Sequence, residues 1–152
     1  MKKKCVADTI EIMDVLPHRY PFLLVDKVIE LVDYEKCVGI KCVSFNEPQF
    51  QGHFPQNPIM PGVMLIEAIV QVASLMALIP KSRNGDEFKD NLVYFLSLVE
   101  AKFRKPVVPG DVLEIVTEKI HSRGNVWKFK GKVFVDGILH AEAKFTSLMK
   151  EK

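Results

Sequence analysis

Residues 62–79 form an eighteen-residue run in which Glu67 is the only charge. A helix built from it is apolar nearly all round, so it must be covered on every side rather than lie on a surface. Length alone would let the segment span a bilayer. Against that stand Glu67 and Gln71 in mid-segment, the lack of a polybasic flank, and amphipathic strands on both sides that need a common core. A sheet curled around the helix satisfies all of this. The exceptions to its apolar surface are Glu67, Gln71 and Ser74, which at i, i+4 and i+7 share one polar stripe. The stripe begins about 9 Å along the axis from Pro61, at 1.5 Å per residue. Something polar must meet it.

The rest of the chain supplies the sheet. Residues 22–34 read as a strand and 36–45 as its antiparallel partner. Strands at 91–104, 112–120, 125–135 and 138–149 follow, with Pro109-Gly110-Asp111 as a turn and Asp136-Gly137 as a tight hairpin. A short helix over 9–16 has Asp8 as N-cap, with Ile10 and Met13 on one face. Residues 81–90, carrying Asn84-Gly85, read as a surface connection. With 152 residues and 48% hydrophobic content, the chain is expected to be one α+β domain over residues 1–152, an antiparallel sheet around one long helix.

A net charge of +2, with no basic tail, zinc-finger spacing or aromatic RNA-binding motif, points away from nucleic acid. Cys5, Cys37 and Cys42 lack Cys-x-x-Cys spacing and favour a reducing compartment over a disulfide framework. Asp8, Glu11 and Asp14 leave no apolar stretch for a signal peptide after the N-terminal lysines. The expected setting is the cytoplasm, without a membrane anchor.

Chemistry concentrates at the start of the oily segment. Prolines at 55, 58 and 61 fix φ at three points, so the loop that carries His53 loses little entropy in holding it still. Gly52 permits close backbone approach, and Phe54 and Ile59 supply apolar walls. The amides from Gly62 onward are unsatisfied donors at a positive dipole end, able to polarise a thioester carbonyl. Glu67, if unpaired in its apolar surroundings, has a raised pKa and suits proton donation. Gln71, one turn later, can hold its rotamer. The structural alternatives are a Glu67 paired across a subunit interface and a His53 bonded only to backbone.

His18, on a rigid aromatic and basic loop, reads as structural, and His121 and His140 as surface or strand residues. Lys102, Arg104 and Lys105 make a basic patch that is either a solvated strand edge or a landing site for an acidic partner. No metal-ligand spacing, phosphate loop or nucleophile elbow is present, which favours chemistry without a cofactor.

Several motifs closely resemble the FabZ-type 3-hydroxyacyl-acyl carrier protein dehydratases. Leu16-Pro17-His18-Arg19-Tyr20-Pro21-Phe22-Leu23-Leu24-Val25-Asp26 is similar to the family's N-terminal signature. Gly52-His53-Phe54-Pro55, Pro58, Pro61-Gly62-Val63 and Glu67-Ala68 are similar to its active-site segment. Tyr94-Phe95, Lys102-Phe103-Arg104, Val108-Pro109-Gly110-Asp111 and Ala141-Glu142-Ala143 extend the match along nearly the whole chain.

The resemblance implies a hot-dog fold, paired into dimers that assemble as a hexamer, with no cofactor. It implies that His53 takes a proton from C2 and that Glu67 of the other protomer protonates the departing C3 hydroxyl. Gly62 N–H would hold the thioester oxygen, Tyr94 would gate the acyl tunnel, and Phe95 would line it. Lys102, Arg104 and Lys105 would receive the acyl carrier protein. The family usually has glycine where Gln56 stands, and a positive φ there would strain or shift the loop. Two other readings use the same parts: a hot-dog thioesterase with Glu67 and water, and a non-catalytic acyl-binding protein.

Overall fold

A computed structural model describes residues 5–86 and 92–150, with the backbone alone at 92–96 and 150. Its elements are α1 (Thr9–Val15), β1 (Lys27–Val32), β2 (Lys36–Cys42), a 3-10 turn (Pro48–Gln51), α2 (Gly62–Arg83), β3 (Leu92–Phe103), β4 (Val112–Arg123), β5 (Val126–Val135) and β6 (Ile138–Lys150). The six strands form one antiparallel sheet in the order β1-β2-β4-β5-β6-β3. It curls around α2 as a hot-dog fold. Every residue of α2 over 68–80 is buried, as an all-round apolar helix requires. Among the described residues α2 is the one helix long and apolar enough to cross a membrane, and most of it is buried by the protein itself.

The helix comes close to the sheet because two inward positions have no side chain. A Cβ on Gly39 would lie 2.6 Å from Val72 Cγ2, and one on Gly131 would overlap Ile69 Cγ2. Gly131→Ala is therefore expected to cost about 1–3 kcal/mol by overpacking. A fall in the denaturant midpoint at unchanged slope checks it. The hairpin at Asp136-Gly137 forms as the sequence predicts, both residues having positive φ (49° and 78°).

Three expectations need correction. The oily helix does not stop before Pro80 but runs through it to Arg83. Proline has no N–H for the Met76 carbonyl one turn back, and Tyr34 N–H serves that carbonyl from the β1–β2 turn instead, at 3.2 Å. Residues 22–26 are loop rather than strand, since Gln71 takes up the Phe22 carbonyl and the Leu24 amide (2.6 and 2.9 Å). In α1 the buried residues are Ile12 and Val15, while Ile10 is exposed. Asp8 does cap that helix, accepting from Glu11 N–H at 3.0 Å.

Cys37 faces the core, where burial pushes its thiol up to about 12, so it is an inert strand hydrophobe. Cys42 ends its strand exposed.

Candidate active site

The 3-10 turn leads directly into the histidine loop. His53 N–H bonds the Gln49 carbonyl at 3.0 Å, and the His53 carbonyl accepts from Ile59 N–H at 3.0 Å. The imidazole Nδ1 lies 2.7 Å from the Ile59 carbonyl oxygen. A carbonyl only accepts, so Nδ1 carries the hydrogen and Nε2 keeps a free lone pair. Phe54 stacks on the ring with centroids 4.1 Å apart. Between them Phe54 and Asn57 exchange backbone bonds of 3.0 and 3.1 Å in a tight turn. Gln56 sits inside it without positive φ, which among described non-glycine residues occurs only at Tyr34 and Asp136. The anticipated strain at Gln56 is absent.

His53, Ile59, Gly62, Val63, Ile66 and Phe103 line a groove of about 540 Å³. Gly62 opens α2, and among the described contacts its N–H has no acceptor, the first-turn bonds being made by Met64 and Leu65 to Pro61. A Cβ on Gly62 would come within 2.8 Å of the Phe103 ring. The His53 imidazole and the open Gly62 amide thus share an apolar trough.

Glu67 is not in that trough. Its Oε1 accepts from Gln71 Nε2 at 2.9 Å and lies 3.3 Å from His18 Nε2. The expected raised pKa is therefore wrong for this protomer. Contact with His18, the largest cause, holds the carboxyl below the usual range; burial opposes it, and Gln71 lowers it further. Gln71 is fully buried and tied to the 22–24 backbone. Ser74 meets its need within the helix, donating to the Val70 carbonyl at 2.8 Å. The polar stripe thus resolves into one carboxylate with two partners and one self-satisfied hydroxyl.

Within one chain His53 and Glu67 make no contact. The Tyr94 and Phe95 side chains lie outside the described residues, and only their backbone pairing, with Leu148 and Ser147, is seen. Of the basic patch, Lys102 pairs with Glu100 (3.1 Å) and Arg104 with Glu142 (3.2 Å). Arg104 and Lys105 face the groove with His53. His140 bonds the Pro106 carbonyl at 3.1 Å, and His121 is exposed. Among the described residues no three of His, Cys, Asp and Glu gather as a metal-binding group.

Sequence reasoning missed two features. His18 touches Glu67, a proximity that links residues far apart in sequence and leaves no local signal. Lys41, a lysine at an inward strand position, is a signal that alternation along β2 could have raised.

A family model described as a FabA-like domain matches residues 16–144. A Rhizobium johnstonii 3-hydroxyacyl-acyl carrier protein dehydratase FabZ is 51% identical over 146 residues, covering 96% of this chain and 91% of that one. A Geotalea uraniireducens FabZ is 49% identical over 145 residues, covering 95% and 98%. The chain belongs to the FabZ family. Among solved structures, a dehydratase heterocomplex, ApeI:P, from Xenorhabdus doucetiae matches the fold with a TM-score of 0.79 at 19% identity, over 93% of this chain and 91% of that one. A hypothetical thioesterase with coenzyme A from Streptococcus pneumoniae matches less closely, with a TM-score of 0.60 at 16% identity, over 82% and 85%. These two likenesses bear on the fold alone. The FabZ assignment rests on the sequence relatives.

Proposed function

We infer that the protein is a hydro-lyase of fatty acid biosynthesis, removing water from 3-hydroxyacyl chains on acyl carrier protein to give trans-2-enoyl chains. The observation that carries the mechanism is the His53 Nδ1–H bond to Ile59, which leaves Nε2 without a hydrogen on a histidine that lines the same apolar groove as the open Gly62 amide. In this reading Nε2 takes a C2 proton while Gly62 N–H receives the charge that develops on the thioester oxygen. The C3–O bond then breaks with its electron pair on oxygen, and Glu67 of the partner subunit delivers the proton that makes water.

That last step needs Glu67 protonated, whereas His18 and Gln71 hold it ionised in a lone protomer. Docking of a second chain and the acyl group over Glu67 adds burial, the one cause already raising it. The β3 edge and the start of α2 offer surface for such docking. Leu98, Val99, Phe103 and Val63 are all large apolar side chains left exposed there. We place the protein as a cytoplasmic homodimer that assembles further into a hexamer, with Tyr94 and Phe95 in the acyl tunnel. Lys102, Arg104 and Lys105 receive the acidic carrier at the groove mouth, Arg104 and Lys105 nearest to it.

Mass spectrometry of purified protein incubated with 3-hydroxyacyl carrier proteins of several lengths tests the reaction. Loss of one water from the acyl chain is the expected result. Release of free carrier thiol would instead establish the thioesterase reading. An unchanged substrate that nevertheless co-migrates with the protein would establish a non-catalytic acyl binder.

A further inference from the structure

Lys41 lies on the inward face of β2, in alternation with Gly39 and Cys37, and only 5% of its surface is exposed. Its ammonium is 2.9 Å from Glu47 Oε2. Glu47 also accepts from Gln49 Nε2 on Oε2 and from Ser44 N–H on Oε1, each at 2.9 Å. Gln49 then gives its carbonyl to His53 N–H at 3.0 Å. An unbroken polar path therefore joins the rigid sheet to the backbone of His53.

An ion pair between a buried lysine and a half-buried glutamate is a poor device for stability alone. The attraction roughly offsets the cost of drying two charges, and an apolar pair of similar volume often holds a fold as well. What charge and directed hydrogen bonds add is a single geometry. Neighbouring Phe50, 2% exposed, already anchors the turn to the core by apolar contact, which leaves the position of Gln49, and through its carbonyl the His53 N–H at the entry to the proline loop, for the polar path to fix.

We propose that the Lys41–Glu47 pair positions the base: it locks the 3-10 turn from which His53 is hung, so that removing it slows turnover without weakening substrate binding. The proposal rests on the reading of His53 as the base. Both residues are positioning residues, since neither lines the groove that holds His53. Burial alone would raise the Glu47 carboxyl, but the Ser44 amide, Gln49 and Lys41 outweigh it and hold the group low, so it stays ionised and the clamp stays closed at neutral pH.

The test is the double variant Lys41→Met, Glu47→Leu in the full chain, which removes both charges and keeps the volume. Its denaturation midpoint is expected to stay near wild type while kcat falls roughly 10- to 100-fold, the cost of a displaced catalytic group. KM should stay within about twofold, because substrate binding is not what is lost. A readout independent of activity is the Nδ1–H proton of His53, assigned by its disappearance in His53→Ala. It should be a sharp resonance in wild type and exchange-broadened in the double variant.

A folded double variant with wild-type kcat and a sharp resonance would overturn the proposal. If the double variant does not fold, Glu47→Gln decides in its place by the same two readouts, with the same outcomes. Wild-type protein that shows the sharp resonance but removes no water would sink the dehydratase reading only, and broadening in the variant would still support the positioning role.

Discussion

His53→Ala should lower dehydration turnover by about 10²–10⁴-fold, the usual contribution of a general base, and Glu67→Gln should lower it by a similar factor. Neither change should unfold the protein. His53 is half-buried on a loop whose geometry is set by three prolines and by the backbone bonds of Gly52, Phe54, Asn57 and Ile59, so the imidazole can be cut away without touching the frame. Glutamine at 67 keeps the shape of the carboxylate and an oxygen for Gln71, but its amide N–H groups are too weakly acidic to donate a proton to the departing hydroxyl. Steady-state kinetics with a 3-hydroxyacyl carrier protein, run beside thermal denaturation, separates the two properties. If the two residues meet only across protomers, a mixture of the two inactive variants should regain activity as subunits exchange. Near-normal turnover in either single variant would remove that residue from the mechanism.

The parts of the fold most legible in sequence were those with one strong local cause. The long helix followed from its composition, the Asp136-Gly137 hairpin from the need for two positive φ values, and the α1 cap from Asp8. The misread parts were settled by contacts between distant segments. Residues 22–26 have the β-branched look of a strand, yet they bond to a glutamine about 47 positions away. Pro80 reads as a stop, yet the carbonyl it cannot serve is satisfied by Tyr34 from another element.

The same division holds at the site. His53, Ile59 and Gly62 are near one another in sequence and are found together, whereas Phe103 joins the groove from β3 and the expected wall Phe54 stacks on the imidazole instead. The apolar sequence around Glu67 favours an unpaired carboxylate over a paired one, but its partner His18 comes from another segment of the same chain. No local pattern could have reversed the expected direction of its pKa. Lys41 and Glu47 are six residues apart and on different elements, a strand and the residue that caps the 3-10 turn. Their pairing becomes visible only once the inward face of β2 is known.

Gln71→Leu should be the most damaging single change to stability at the site. Gln71 is fully buried and makes three hydrogen bonds: to the Phe22 carbonyl at 2.6 Å, from Leu24 N–H at 2.9 Å and to Glu67 Oε1 at 2.9 Å. Leucine fills the space but leaves a buried amide and a carbonyl without partners. Leu24 is only 2% exposed, so water cannot take over at its amide. Each unsatisfied group costs about 1–3 kcal/mol, so a total loss of about 2 kcal/mol or more is expected in guanidinium titrations at neutral pH.

The pH dependence gives a second, independent sign. In protein dilute enough to be monomeric, where His18 and Gln71 hold Glu67 below the usual carboxylate range, its contribution is present above the unfolded pKa and is lost as pH falls through the folded one. Removing Gln71 deletes one of the lowering causes and moves the folded value back toward the unfolded one. The acid-side decline in stability should therefore be shallower in Gln71→Leu than in wild type. A variant with an unchanged midpoint and an unchanged acid limb would mean that Gln71 neither ties down residues 22–24 nor steadies Glu67, and the link from core helix to that carboxyl would be lost.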